Sequence, residues 1–289
     1  MTNGRSELVR RFVELDAEPQ SSQGALSHFL WVSERIRGRD DRPVPSASAE
    51  EADALARRSS LLSQLAEVAP EIVTGPLRLD SQYWIGTNKP ARPNDSTPQE
   101  SAFVSASDAT TKTPSTKPFG IGFFTSTGNA ISAHGMWRLY REGWATARHV
   151  WAIDINGRPV VREITTASEW VDFVLSHPRR DGEILFPDWT SVARHYDAIH
   201  MTLRVIAAIQ GLCFRTEEGI VAPTYWDVES TLWLRWCFGS TRLVEVVEAD
   251  RDLAPAAHAS QLVPRYLPYP TSTLVLAASD VDPEHGSRH

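Results

Sequence analysis

The sequence predicts an α+β fold with a mostly antiparallel, two-sheet β core and inserted helices, preceded by an N-terminal helical segment. Apolar residues recur at helical spacing from Ser6 to about Val73, and short alternating or apolar runs bounded by turn residues begin after Gly75. Nine of the ten tryptophans lie within residues 76–250. We therefore expect a helical segment over 1–74, one α+β domain over 76–250 and an irregular tail over 251–289.

The composition restricts the class of protein. With 42% hydrophobic and 22% charged residues, the 289-residue chain has ample material for a core. A net charge of -7 argues against nucleic-acid binding by bulk electrostatics. Cys213 and Cys237 are too few and too far apart for a disulfide scaffold, and their apolar surroundings indicate buried free thiols.

The pattern of apolar residues also predicts where the protein is found. No run approaches the roughly 20 apolar residues that a membrane helix needs, and no apolar stretch follows the charges of the N-terminus. We expect a cytoplasmic protein that does not enter a membrane.

Three amphipathic helices are predicted in the N-terminal segment. The third follows Ser46-Ala47-Ser48, whose hydroxyls cap a helix start with acidic residues over the first turn, and Pro70 and Gly75 close it. Residues 6–73 are a candidate docking surface for a protein partner.

The first part of the β domain is interrupted by a long polar stretch. A strand is predicted over Leu77–Ile85, and residues 86–118, dense in Pro, Ser, Thr, Asn and Asp, indicate a flexible loop. The apolar run Phe119–Gly128 then predicts a strand that ends in the hydroxyl cluster Thr125, Ser126 and Thr127.

A hairpin and two helices are predicted next. The strands His149–Ile155 and Val160–Thr165 flank Asn156-Gly157, a dipeptide typical of hairpin turns. Helices are expected over Ala167–Leu175 and Trp189–Tyr196, because a capping residue opens each of them, Thr166 or Ser168 for the first and Asp188 for the second.

The last elements of the domain alternate between strand and helix. A short strand over Ala198–Thr202 and a helix over Arg204–Leu212 are predicted, followed by strands over Ser230–Phe238 and Leu243–Val247.

Candidate functional residues remain after the common motifs are excluded, since the chain has no Walker loop, dinucleotide-binding glycine motif, nucleophile elbow or H-E-x-x-H. Asp227 and Glu229 stand two residues apart before an apolar strand, which places both carboxylates on one face. Trp84, Trp137 and Trp226 lie near the polar candidates and could form a pocket wall. Solvated loop acids and an ordinary strand end are the alternatives.

A second constellation consists of His195, Asp197 and His200. The spacing of the two histidines does not place them on one helix face, and no cysteine or third histidine lies nearby in sequence. Hydrogen bonds from these histidines to backbone carbonyls are therefore the expected arrangement, and no metal site is assigned.

The order of the candidates resembles the mono-ADP-ribosyltransferase family. Its pattern is an arginine on an early strand, a Ser-Thr-Ser-like strand end, and an acidic residue two positions before a glutamate. Here Arg78, Thr125-Ser126-Thr127, Asp227 and Glu229 match it. Asp227 is shorter than the residue usual at its position, and Arg138 is a substitute for Arg78.

The resemblance implies a fold and a chemistry. Two mostly antiparallel sheets would hold NAD as a substrate, with the arginine on its phosphates and Ser126 on the nicotinamide ribose. Glu229 would stabilise the oxocarbenium-like ribose as nicotinamide leaves, a role that suits a fixed carboxylate. Trp84 and Trp226 are expected to contact the cofactor.

Three functional hypotheses follow. The first is an NAD-consuming ADP-ribosyltransferase or NAD glycohydrolase, as in an intracellular toxin or effector. Its acceptor, whether protein, nucleic acid or small molecule, is open. The second is a non-enzymatic binding or assembly protein that docks a partner through residues 6–73. The third is a metal-dependent hydrolase or nuclease that uses His195, Asp197, His200 and Asp227.

Overall fold

The computed structural model describes residues 8–9, 12–16, 25, 28–29, 48–87, 100, 103–105, 116, 118, 122–127, 148–224, 226 and 228–247. These residues form an α+β fold with one seven-stranded and one four-stranded sheet. The predicted fold class is therefore confirmed. The predicted tail over 251–289 and most of the predicted loop over 86–118 lie outside the described residues.

The helices before the sheet follow from local capping chemistry. They are α1 (Ala49–Arg58), α2 (Ser60–Val68) and α3 (Pro70–Val73). The Ser48 hydroxyl accepts the Glu51 N–H and the Glu51 carboxylate accepts the Ser48 N–H, which is a capping box. A break at Ser59, which caps α2, divides the third predicted helix. Residues 8–9 and 12–15 are also helical.

The seven-stranded sheet carries the functional candidates. Its strand order is β11-β3-β1-β2-β10-β7-β4. The strands are β1 (Gln82–Thr87), β2 (Phe123–Thr127), β3 (Arg148–Ile155), β4 (Val161–Ile164), β7 (Ala198–Met201), β10 (Ser230–Trp233) and β11 (Phe238–Val247). Neighbours are antiparallel except β4 and β7, which are parallel.

A second sheet was predicted, but none of the strands that form the four-stranded sheet was. Its order is β5-β6-β9-β8, with β5 (Pro178–Asp181), β6 (Ile184–Pro187), β8 (Phe214–Arg215) and β9 (Ile220–Val221). These strands have only two to four residues. Runs of that length are too short for alternation to be recognised in the sequence.

The hairpin predicted at Asn156-Gly157 is wrong as a strand pairing. Gly157 does adopt the positive φ of a turn, 75°. However, β3 pairs with β1 and β11, whereas β4 pairs with β7 at the far edge of the sheet. The local turn chemistry was therefore a correct signal, but long-range pairing decided the partners of the two strands.

Two strand boundaries also differ from prediction. The predicted strand over Ser230–Phe238 is divided, because β10 ends at Trp233 and β11 starts at Phe238. The N–H groups of Leu234 and Arg235 bond the Asp197 carbonyl instead of a neighbouring strand. The strand predicted from Leu77 begins only at Gln82, so Arg78 precedes the strand.

A single large apolar cluster packs the helices against one face of the main sheet. The later helices are α4 (Ala167–Ser176), α5 (Trp189–Val192) and α6 (Leu203–Ile209). Leu62 of α2, Trp170 of α4 and Ile206 of α6 belong to the same cluster as Leu232 of β10. The N-terminal helices thus share one core with the helices of the later chain.

Asp53 joins the two parts of this helical layer. Its buried carboxylate accepts hydrogen bonds from the N–H groups of Ala167 and Ser168, at 2.5 and 3.1 Å, and from the Ser168 hydroxyl at 2.9 Å. These groups lie at the first turn of α4, where N–H groups lack partners within the helix. A residue of α1 therefore completes the N-terminus of α4, 114 positions later in the chain.

We expect Asp53→Ala to lower the free energy of unfolding by about 1–2 kcal/mol, the usual effect of losing a helix cap. The loss should be at the upper end because the uncapped N–H groups are buried. Urea denaturation measures it. Asp172→Ala is the control, since Asp172 lies exposed on the same helix. An equal loss in both variants would contradict a special role for Asp53.

Candidate functional site

The hydroxyl cluster and Glu229 meet where β2 ends and β10 begins. These strands lie side by side, with Thr231 opposite Thr125. The Ser126 Oγ donates to the Glu229 backbone carbonyl at 3.1 Å. The Thr127 N–H lies 3.3 and 3.2 Å from the two carboxylate oxygens of Glu229. Two motifs about one hundred residues apart in sequence thus form one site.

A row of polar side chains crosses the sheet at this point. Successive side chains of a strand alternate between faces, and the register places these residues on the same face of four neighbouring strands. Each is at most 1% exposed. The members of this polar row on the strands are Gln82, Thr125, Thr127, Thr231 and His200, and Glu229, which directly precedes β10, joins them through its contact with the Thr127 N–H.

Gln82 links the first two strands of the polar row. Its amide oxygen accepts from the Thr125 hydroxyl at 2.5 Å, and its amide nitrogen donates to the Thr127 hydroxyl at 3.3 Å. The indole N–H of Trp233 also donates to the Thr125 hydroxyl, at 2.7 Å. Because these bonds join three strands, they fix the hydroxyls of Thr125 and Thr127, whereas Ser126, between them on β2, faces the other side of the sheet.

Sequence reasoning missed Gln82 and Thr231. Gln82 stands in alternation with Trp84 on β1, and Thr231 with Trp233 on β10, so each is a polar residue at a position whose neighbour on that face is aromatic. A polar residue on a face that is otherwise aromatic could have marked these two positions in the sequence. Their place in the polar row, however, depends on the strand pairing, which the sequence did not reveal.

His200 completes the polar row on β7. Its Nδ1 lies 3.0 Å from the Thr231 hydroxyl and 3.7 Å from Oε1 of Glu229. Its Nε2 is buried and has no hydrogen-bond partner among the described residues. The expectation that His200 bonds a backbone carbonyl is therefore wrong, because its Nδ1 contacts the side-chain hydroxyl of Thr231. His195 follows that expectation, with Nδ1 3.1 Å from the Ser191 carbonyl.

Burial governs the protonation of both titratable groups. Desolvation raises the pKa of Glu229 to about 8, although the hydrogen bonds from Thr127 oppose the shift. Desolvation also lowers the pKa of His200 to about 3. Each group is thus driven toward its neutral form when considered alone, and Glu229 needs a positively charged neighbour to ionise at neutral pH.

The raised pKa of Glu229 predicts a pH-dependent stability. Above 4.5 the unfolded chain releases a proton that the folded protein keeps until about pH 8. The free energy of unfolding contributed by Glu229 therefore falls as pH rises between these values. Glu229→Gln has no such proton, so the stability of the wild type relative to this variant should decrease across the window.

Urea denaturation of both proteins at a series of pH values measures this difference. The lowered pKa of His200 causes a separate loss of stability as pH falls from 6.5 toward about 3. That loss is largely common to the two proteins and lies mostly at lower pH. A difference in stability that stays constant from 4.5 to about 8 would contradict the buried, protonated carboxyl.

Arg78 is not brought into the polar row by its side chain. The guanidinium is half exposed and pairs with Asp80 at 3.3 Å. Only the backbone carbonyl of Arg78 reaches the row, where it accepts from the Gln82 amide at 2.8 Å. Arg138, the predicted substitute, lies outside the described residues, as does Asp227.

Of the three candidate tryptophans, Trp137 lies outside the described residues, and the other two occupy different environments. Trp84 is half-buried, shares the face of Gln82 and packs against Phe123 with ring centroids 5.2 Å apart. Trp226 is fully buried against Phe124 and belongs to the apolar cluster that contains the helices. Its indole N–H donates to the Ser230 hydroxyl at 2.7 Å. Contact between Trp226 and NAD would require this core to open.

The remaining candidates have structural partners. Asp197 pairs with Arg235 at 3.0 Å and accepts the Val160 N–H at 2.8 Å. Both cysteines are free thiols, and burial raises the pKa of Cys237 to about 11. Within the described part of the chain, no three His, Cys, Asp or Glu side chains are grouped so as to hold a metal ion.

Comparisons with known proteins leave the chain without a match. It resembles no protein-family model, no curated protein and no solved structure. Over the described ranges, no helix combines the length and apolar character needed to cross a bilayer.

Proposed function

We propose that the protein is an NAD-consuming enzyme, a mono-ADP-ribosyltransferase or NAD glycohydrolase, with Glu229 as its catalytic carboxylate. The observation that carries this proposal is the contact of Ser126 and Thr127 with Glu229 across β2 and β10. The order of Arg78, Ser126 and Glu229 along the chain resembles that family. The contact of Ser126 and Thr127 with Glu229 supports the resemblance for two of its three motifs, with geometry that the sequence did not contain.

The chemistry suits a buried carboxylate. Cleavage of the bond between the ribose and nicotinamide leaves neutral nicotinamide and develops positive charge on the ribose. A fixed anion in a water-poor site stabilises such charge more strongly than one in water. Water, or a nucleophilic acceptor, then bonds to the anomeric carbon and loses a proton. Glu229 is held for this role by the Thr127 N–H.

NAD must gain access to the site, because Glu229 is 0% exposed. Binding therefore involves a rearrangement that uncovers the carboxylate. The positive charge of the nicotinamide ring then favours the ionised form of Glu229 and lowers its raised pKa. The proposal thus assigns two tasks to the substrate, uncovering the carboxyl group and ionising it.

Incubation of the purified full chain with NAD tests the proposal. We expect release of nicotinamide, measured by chromatography, with free ADP-ribose as the second product if water is the acceptor. In a toxin or effector acting in the cytoplasm, expression should also deplete cellular NAD. No nicotinamide release across a broad pH range, with and without cell extract as a source of acceptor, would refute the proposal.

Trp84→Ala should weaken NAD binding. The ring of Trp84 lies on the face of the polar row, and a stacked aromatic contributes about 1–3 kcal/mol. We therefore expect KM for NAD to rise about tenfold, since 1.4 kcal/mol corresponds to that factor. Steady-state kinetics measure it. Trp84→Phe is the control and should retain most of the affinity, whereas a KM unchanged in Trp84→Ala would remove this residue from the site.

A non-enzymatic binding protein is the second candidate, favoured by the complete burial of Glu229. A protonated carboxyl on the Thr127 N–H satisfies a donor at the end of a strand ladder, and this alone can explain its position. Under this alternative, the wild type does not turn over NAD, and Glu229→Gln changes only the stability of the protein.

A further inference from the structure

The Glu229 carboxyl has one titratable neighbour in the polar row. His200 lies on β7, the strand next to β10, and its Nδ1 is 3.7 Å from Oε1 of Glu229. Both side chains are 0% exposed. The Thr231 hydroxyl lies 3.0 Å from the same Nδ1 and fixes the ring. A histidine thus stands beside a carboxyl group in a region without solvent.

The other groups around this pair carry no compensating positive charge. On β1 and β2 the row contains only the amide of Gln82 and the hydroxyls of Thr125 and Thr127. On β4, Glu163 is the register partner of His200, and Glu71 of α3 disfavours ionisation of Glu229. Within the described residues, His200 is therefore the group able to supply a cation to Glu229.

We propose that His200 is a positioning residue for Glu229. His200 accepts the carboxyl proton and, as an imidazolium, holds the ionised glutamate in an ion pair. The step breaks the O–H bond of the carboxyl and forms an N–H bond at Nδ1 of His200. No proton enters or leaves the pair.

The Thr231 hydroxyl suits both states of the pair. Beside neutral His200, the hydroxyl donates to Nδ1. When Nδ1 becomes protonated, the same oxygen accepts a hydrogen bond from it, because a hydroxyl can act as donor or acceptor. Proton transfer therefore requires a rotation of the hydroxyl hydrogen and a closer approach of Oε1 of Glu229 to Nδ1, which lie 3.7 Å apart. The inference concerns the ionisation of the same carboxylate as the proposed function and deepens that proposal, but its first test is independent of NAD.

The test compares the ionisation of Glu229 in the wild type and in His200→Asn. Asparagine retains a polar atom near the position of Nδ1 but does not titrate. Infrared difference spectroscopy follows the protonated-carboxyl band, identified by its absence in Glu229→Gln. We expect the disappearance of this band to move to higher pH in His200→Asn by about one unit or more, as for a charged neighbour within ~4–6 Å. His195→Asn, at an exposed histidine, should leave it unchanged.

Coincident titration of the band in the wild type and in His200→Asn would overturn the proposal. Thermal unfolding verifies that the variant is folded. Should His200→Asn fail to fold, nitrogen-15 NMR of the wild-type histidines decides. His200 is then expected to be protonated at the pH at which the Glu229 band has been lost and to release its proton only at higher pH, and an imidazole that is neutral once the band is lost overturns the proposal.

A parallel measurement of nicotinamide release separates this inference from the proposed function. If both hold, the acidic limb of the pH–rate profile moves to higher pH in His200→Asn, with activity recovered under alkaline conditions. A shifted carboxyl band without any NAD turnover in the wild type refutes the enzyme but retains the ion pair. Turnover in the wild type with an unshifted band refutes the ion pair but retains the enzyme.

Discussion

Glu229→Gln should reduce nicotinamide release by about 10²–10³-fold, the usual result of removing one electrostatic stabiliser of a transition state. The amide is nearly isosteric with the carboxyl group, and its oxygen can still accept the Thr127 N–H that now lies about 3.2 Å from the carboxylate. The variant cannot carry the negative charge that opposes the positive charge on the ribose. The loss should therefore be in kcat, with a smaller effect on KM for NAD.

Glu183→Gln is the matched control, because Glu183 is an exposed glutamate in the turn between β5 and β6. It should release nicotinamide at the wild-type rate. Equal activity of Glu229→Gln and the wild type would show that Glu229 only satisfies the end of the strand ladder. If Glu229→Gln loses both its activity and its thermal unfolding transition, comparison of its folded fraction with that of the wild type shows whether unfolding alone accounts for the lower rate.

Trp226→Ala should lower the free energy of unfolding by about 3–5 kcal/mol, the range for truncating a large aromatic side chain in a core. Trp226 is 0% exposed and packs against Phe124 and Trp189. The substitution also removes the donor of the 2.7 Å hydrogen bond to Ser230. Chemical denaturation measures the loss.

Trp226→Phe separates the two parts of this effect. Phenylalanine refills most of the volume but cannot donate to Ser230, whose hydroxyl also contacts the Val228 carbonyl. Its loss of stability should therefore be clearly smaller than that of Trp226→Ala. A Trp226→Ala protein as stable as the wild type, but with weakened NAD binding, would restore this residue to the pocket wall predicted from the sequence.

The sequence was sufficient for the elements whose signals are local. The capping box at Ser48 and the caps at Thr166 and Asp188 specify helix starts through bonds within three residues, and the structure has all of them. The strand predicted over His149–Ile155 was also recognisable, since the eight residues of β3 are enough to show its pattern. Local chemistry of this kind needs no knowledge of the rest of the chain.

The sequence was insufficient where strand pairing decides. The Asn156-Gly157 turn gave no sign that β3 and β4 lie on opposite sides of the sheet. Likewise, Gln82 and His200 acquire a role only because β1 and β7 flank the strands that carry Thr127 and Thr231. Order along the chain led to Ser126 and Glu229, which the structure brings together, whereas the side chain of Arg78 pairs with Asp80 and does not join them.

The position of β10 determines when the site can first exist during synthesis. β10 lies in the interior of the sheet, between β2 and β7, although residues 230–233 are translated after both of them. Until residues 230–233 leave the ribosome, β2 and β7 each lack a neighbouring strand, and His200 has neither Thr231 nor Glu229 beside it. A nascent chain that stops before Glu229 therefore contains the hydroxyl cluster but no carboxylate, and any activity of this site begins only after residues 229–233 have been translated.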